Sequence, residues 1–102
     1  MTSHNANEIR LARMLEVAEA ELAAAAGGTP LCKVSMIGTT GQSVKYFEGR
    51  WAALREVARG ADPLVCFRRW RADYERHVSH VSGPAWIHYS AGGVDALFEL
   101  VD

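Results

Sequence analysis

The first quarter of the chain carries apolar residues at helical spacing. They recur every three or four positions, at Leu11, Met14, Leu15, Ala18, Leu22 and Ala25. This spacing predicts an amphipathic helix from about Ala6 to Ala26. Asn5 and Glu8 resemble a capping box at its start, and Gly27 tolerates the positive φ that commonly ends a helix.

The next stretch, Leu31–Phe47, alternates apolar and polar positions instead. Apolar Cys32, Val34, Met36, Val44 and Tyr46 alternate with polar Lys33, Ser35, Ser43 and Lys45. Alternation predicts strands, and the Gly-Thr-Thr-Gly segment 38–41 predicts a tight reversal between them. We therefore expect a β-hairpin whose apolar face packs on helices, because two strands alone are marginally stable in water.

Two further helices are predicted after the hairpin. The first runs from about Gly49 to Arg59 and stops at Gly60. Asp62 followed by Pro63 is typical of an N-cap and a first-turn proline, so the second helix runs from about Pro63 to His80. Their apolar stripes are Trp51, Leu54 and Val57 in the first and Phe67, Trp70, Tyr74 and Val78 in the second.

The final segment combines β-like composition with a double glycine. Residues 85–90 are rich in β-forming side chains, and Gly92 and Gly93 separate them from a second apolar run, residues 94–101. The second run is ambiguous. Apolar residues at alternate positions, Val94, Ala96, Phe98 and Leu100, fit a strand, whereas Val94, Leu97, Phe98 and Val101 fit a helical turn. A double glycine between two apolar runs favours a second hairpin.

The predicted fold class is therefore α+β, a small single domain over residues 1–102 with the order α-β-β-α-α-β-β. Residues 8–59 form its α-β-β-α part, and residues 62–102 form a helix plus the hairpin.

Length and composition bound the protein to one modest globular core. A chain of 102 residues with 49% hydrophobic and 23% charged residues is ordinary for a folded domain. No apolar run approaches the roughly 20 residues that span a bilayer, and the amino terminus lacks the pattern of a secretory signal. Cys32 and Cys66 are too few for a disulfide framework, so we expect them reduced and buried in a cytoplasmic protein.

Charge is distributed unevenly along the chain. Residues 1–26 hold two arginines against four glutamates, giving −2. Residues 27–80 hold nine Lys or Arg against five acids, giving +4, and residues 81–102 hold three acids and no Lys or Arg, giving −3. Acidic ends and a basic middle suit a docking surface for another protein or for a second copy. The excess is too mild to imply nucleic acid.

An arginine cluster is the most distinctive polar feature. We expect the partner-binding residues to be Arg68, Arg69, Trp70, Arg71 and Arg76, with Lys33 and Lys45 from the hairpin. Arginine and tryptophan commonly anchor protein interfaces. The same cluster is compatible with single-stranded nucleic acid, gripped by charge and stacking, and with a solvated arginine face whose stems cover Trp70.

Metal and catalytic chemistry have weaker signals. His77 and His80 lie three residues apart, with Cys66 and His88 on either side. Zinc requires three or four such ligands, and histidines near a helix C-terminus also complement its dipole. We therefore expect no metal, cofactor or catalytic residue. If the protein were an enzyme, the candidate active site would be a pocket around His77, His88 and Cys66.

Part of the chain resembles a known family. The matching segments are residues 20–24 running to Gly27, residues 34–36, residues 41–46 and residues 54–58. In this order they are similar to the lambda W family of phage head–tail joining proteins, over residues 8–59 only. The resemblance implies an α-β-β-α plan, assembly as a ring between portal and tail, and a place in the virion. The alternative is a small inhibitor or regulator of the immunity-protein, antitoxin or anti-CRISPR type that binds one partner through residues 68–76.

Overall fold

A computed structural model describes residues 2–27, 37–80 and 83–102, and within them the side chains of residues 7–27, 44–80 and 83–102. The described residues form four α-helices. These are α1 (Thr2–Ala26), α2 (Ile37–Ala58), α3 (Pro63–Ser79) and α4 (Pro84–Val101). No strand occurs within these ranges, so the predicted α+β class and its order α-β-β-α-α-β-β are wrong.

The first predicted hairpin fails at its returning strand. Residues 37–47 belong to α2, which begins 12 residues before the predicted start at Gly49. The face of α2 that packs on α4 includes Tyr46, Gly49, Arg50 and Ala53, spaced as one side of a helix. The apolar pattern of the sequence does not show this stripe, because Gly49 and Ala53 are not strongly apolar residues. The outgoing strand predicted over residues 31–36 lies outside the described residues.

The second predicted hairpin is a single helix. Gly92 and Gly93 are buried in the middle of α4, where the sequence predicted a turn. A Cβ at Gly92 would overlap the backbone carbonyl of Tyr46, and a Cβ at Gly93 would overlap the indole of Trp70. The two glycines therefore allow close helix packing, a role unrelated to chain reversal.

The remaining predicted helix ends agree better with the structure. Helix α1 ends at Ala26 as predicted, but it begins at Thr2, so Asn5 lies inside the helix and not at its N-cap. Helix α2 ends before Gly60, whose φ of 111° only glycine adopts readily. Helix α3 begins as predicted: the Asp62 side chain accepts a hydrogen bond of 3.0 Å from the backbone N–H of Val65.

Helices α2 and α4 occupy the middle of the bundle, with α1 against α2 and α3 against α4. Two buried clusters form the interior: Ala53, Cys66, Trp70 and Leu97 in one, and Ala18, Leu54 and Ala96 in the other. Leu11, Met14 and Leu15 of α1 pack against the second cluster, which confirms the predicted stripe. None of the described helices is long and apolar enough to cross a membrane.

Close contact between α2 and α4 depends on Gly49 as well as on the glycine pair of α4. A Cβ at Gly49 would overlap the backbone carbonyl of Tyr89. Two polar contacts tie the same helices together at their edge. The Tyr46 hydroxyl donates to Asp95 at 2.5 Å, and the Arg50 guanidinium donates to both Glu99 carboxylate oxygens at 3.0 and 3.1 Å.

We expect Gly49→Ala to destabilise the protein although alanine favours helices. The new methyl group must push α2 away from α4, and overpacking of this kind costs about 1–3 kcal/mol, more than the roughly 1 kcal/mol gained in helix propensity. Urea unfolding followed by circular dichroism measures the difference. Gly83→Ala, at the N-cap of α4, is the control for a methyl group with space around it, since a Cβ there meets no atom within 4 Å. Equal stability of Gly49→Ala and wild type would contradict the close packing.

Candidate protein-binding cleft between helices α3 and α4

A cleft of about 330 Å³ opens between α3 and α4, with one residue of α2 at its inner side. The two helices run antiparallel, so the second half of α3 faces the first half of α4. The lining residues are Glu56 from α2, Arg69, Trp70, Asp73 and His77 from α3, and Trp86, Tyr89 and Ser90 from α4. We call this the α3–α4 cleft.

Four rings form a continuous series along the cleft. The His77 imidazole stacks on the Trp86 indole, with ring centres 6.0 Å apart and an interplanar angle of 17°. Trp86 meets Tyr89 edge to face at 6.0 Å, and Tyr89 packs against Trp70 at 5.3 Å. Burial changes along this series: Trp70 is 7% exposed, whereas Trp86 is 57% exposed. The cleft therefore presents the Trp86 indole to solvent. This indole packs on His77 and Tyr89, and Tyr89 in turn packs on the buried Trp70.

Glu56 organises the inner end of the cleft. Its Oε1 accepts a hydrogen bond of 3.0 Å from the indole Nε1 of Trp70 and also receives the Arg69 guanidinium. Cys66 lies beside this carboxylate. Burial, followed by the charge of Glu56, raises the pKa of the Cys66 thiol. A buried thiol kept protonated in this way is a packing group, not an activated nucleophile.

Most of the predicted arginine surface is already engaged within the chain. Arg69 pairs with Glu56, Arg76 with Asp73, and Arg71 with Glu75 at 3.4 Å. Arg68 is exposed, and none of the ion pairs among the described residues includes it. Of the paired arginines, Arg69 lines the cleft. Exposed ion pairs of this kind contribute little stability by themselves.

The other predicted partner-binding residues are placed differently. Trp70 is buried beneath Gly93 and serves the core. Lys45 pairs with Glu48 at 3.1 Å on α2. Lys33 lies outside the described residues.

The three histidines considered as metal ligands, His77, His80 and His88, lie with Cys66 at separate positions along α3 and α4. His80 caps the end of α3, where its Nδ1 is 2.9 Å from the carbonyl oxygen of Arg76. His77 stacks in the cleft, His88 is half-buried on α4, and Cys66 is in the core. Among the residues whose placement is described, no three His, Cys, Asp or Glu side chains are grouped to hold a metal ion.

The sequence prediction misses five of the eight residues that line the cleft. Trp86, Tyr89 and Ser90 fall in the predicted terminal strand, and Glu56 and Asp73 carry no signal that singles them out. A helical interpretation of the terminal segment would place its aromatic residues correctly. Trp86, Tyr89, Gly93 and Leu97 recur at spacings of three and four, which places them on one side of a helix.

Comparison of the chain with protein-family models, with curated proteins and with solved structures finds no match. Its function is therefore inferred from the fold and from the surfaces that the fold presents.

We expect Glu56→Ala to cost about 1–3 kcal/mol, because it leaves the largely buried Trp70 indole N–H without its acceptor. Glu56→Gln retains an acceptor oxygen and should cost less. Glu48→Ala is the control, since it removes only the exposed pair with Lys45 and should cost at most about 1 kcal/mol. Urea unfolding compares the three, and equal losses for Glu56→Ala and Glu48→Ala would contradict a role for Glu56 in holding Trp70.

We also expect stability to fall in alkaline solution. The pKa of Cys66 is raised in the fold, so the unfolded chain loses the thiol proton first, near pH 8.5, and is stabilised by doing so. Burial also raises the pKa values of Tyr46 and Tyr89, which extends the decline above about pH 10. The free energy of unfolding, measured against pH under reducing conditions, should decrease from about pH 8.5 upward.

The variant Cys66→Ala isolates the thiol. Its stability is lower at neutral pH because a buried group is lost, so the comparison is of slopes and not of absolute values. Between about pH 8.5 and 10 the slope should be shallower than in the wild type, while the tyrosine-dependent decline remains. Identical slopes for the two proteins in that interval would contradict the assignment.

Proposed function

We propose that this chain is a non-enzymatic protein-binding module whose partner docks on the α3–α4 cleft. The observation that carries the proposal is Trp86, more than half exposed at the outer end of a ring series whose inner end, Trp70, is buried. An exposed indole costs free energy in water, and its immobilisation by His77 and Tyr89 removes much of the entropy that a partner would otherwise have to overcome.

The composition of the cleft supports a protein partner. Tryptophan, tyrosine and arginine are the residue types that dominate binding energy at protein interfaces. Here Trp86 and Tyr89 supply apolar surface, and Arg69, held by Glu56, supplies an oriented donor. Because Asp73 also lines the cleft, its rim offers both signs of charge to a partner with alternating polar groups.

A partner that binds the cleft would contact α3, as expected for a small inhibitor or regulator that binds through residues 68–76. Helix α3 supplies four of the eight lining residues, and the exposed Arg68 extends its basic surface beyond the cleft. A ring-forming head–tail connector remains a second prediction. The α-β-β-α plan that it implies is not found over residues 37–58, which are helical.

The experiment is affinity capture from the native host, with the mass of the complex determined under native conditions. Trp86→Ala should weaken the captured complex by about tenfold or more, which is typical for loss of a central aromatic anchor. Ile9→Ala is the matched control, because Ile9 on α1 is equally exposed and lies away from the cleft. It should leave affinity within about twofold.

Two outcomes would oppose this proposal. Equal binding by Trp86→Ala and the wild type would show that the cleft is not the interface. A ring-sized homo-oligomer insensitive to Trp86→Ala would support the connector prediction in its place. Circular dichroism of each variant confirms that the helices are retained.

A further inference from the structure

A second concavity, of about 710 Å³, lies at the opposite end of α3 and α4. Four helices meet there: the second and third turns of α1, the first turn of α3, the last turn of α2 and the last turn of α4. The lining residues are Asn7, Glu8, Arg10, Leu11, Val57, Asp62, Pro63, Leu64, Leu100, Val101 and Asp102. We call this the end groove.

The end groove is apolar and partly open to solvent. Leu64 is 46% exposed and Val101 is 39% exposed, although both are large aliphatic residues beside other apolar lining. The apolar surface continues past the groove along the α3–α4 seam. Phe98, one helical turn before Val101, is 55% exposed, and its ring lies 6.2 Å from that of Phe67. An exposed apolar strip of this extent commonly marks an interaction site.

Carboxylates border this apolar strip. Glu8, Asp62 and Asp102 line the groove against a single cation, Arg10. The Arg10 guanidinium is already directed to the C-terminal carbonyls of α4, at Glu99 and Leu100. No ion pair among the described residues involves Glu8, Asp62 or Asp102, so the rim carries an excess of negative charge. The fold thus brings Glu8 of the first segment and Asp102 of the last segment to the same groove as Asp62.

We propose that the end groove is a second docking site, which takes a short amphipathic helix bearing Lys or Arg beside its apolar side chains. The proposal is independent of the α3–α4 cleft. Charge complementarity selects the occupant: apolar side chains fill the strip from Leu64 to Phe98 while cations reach Glu8 and Asp102. Grooves between helices receive amphipathic helices through apolar residues at i, i+3, i+4 and i+7.

Other occupants fit less well. An anionic lipid surface would meet three carboxylates and be repelled. A second copy would have to present its arginine-bearing α3. The large exposed apolar residues of this helix outside the groove, Val65 and Val78, are 13 positions apart with charged residues between them. Self-association is therefore an outcome of the test and not the expectation.

The probe is a labelled Leu/Lys amphipathic peptide, compared by fluorescence anisotropy with a Leu/Glu peptide of the same apolar pattern. The wild-type chain should bind the Lys peptide at least about tenfold more tightly. The double variant Glu8→Lys, Asp102→Lys should abolish that preference. Glu16→Lys, Glu21→Lys is the charge-matched control on α1 outside the groove, and it should retain the preference.

Apolar contact is tested separately. Val101→Ser should weaken binding of the Lys peptide, whereas Val17→Ser, at an exposed valine on α1, should not. Trp86→Ala should have no effect, which separates this site from the α3–α4 cleft. The proposal is overturned by equal binding of both peptides, by equal loss in the two double-charge variants, or by loss in Trp86→Ala. A concentration-dependent dimer that excludes the Lys peptide and is disrupted by Val101→Ser would also overturn it, in favour of a second copy.

Discussion

The close approach of α2 to α4 is the constraint on which the rest of this structure depends. Gly49 and Gly92 leave the two helix backbones so close that a methyl group at either position would overlap a backbone carbonyl of the other helix. Trp70 lies on Gly93, so α3 is positioned by the same contact. Both surfaces on α4 follow from it: the cleft around Trp86 near its start and the groove around Val101 at its end.

Polar contacts fix the register of this pair more than they add to its stability. The Tyr46–Asp95 and Arg50–Glu99 contacts both join positions 49 residues apart, so they define one parallel alignment of α2 and α4. Contacts of this kind at partly exposed positions contribute little net free energy. A shifted register would break both together while moving the glycines out of contact, so packing and polar pairing specify the same arrangement.

Local signals in the sequence predicted where helices begin and end better than they predicted which segments are helices and which are strands. Asp62, Pro63 and Gly60 each act through their own backbone geometry, and each was placed correctly. Glycine inside α2 and α4 was misinterpreted, because a turn and a close helix contact both require the absence of a side chain. Only the tertiary neighbour distinguishes them, and the neighbours of Gly92 lie in α2, more than 40 residues earlier. The same error concealed Trp86 and Tyr89, whereas Arg69 and His77 were found because α3 was predicted correctly.

The two proposed sites lie at different places along α3. The nearest lining residues on this helix are Leu64 in the end groove and Arg69 in the cleft, five residues or about 8 Å of helix apart. Their apolar side chains differ: the cleft is lined by the aromatic residues Trp70, Trp86 and Tyr89, and the groove mainly by aliphatic residues. Beside both sites lies the contact of α2, α3 and α4 that is built on Gly49, Gly92, Gly93 and Trp70. Binding at one site would alter the other only if it favoured a different packing of these helices, because a ligand shifts an equilibrium only by its differential affinity for the two states.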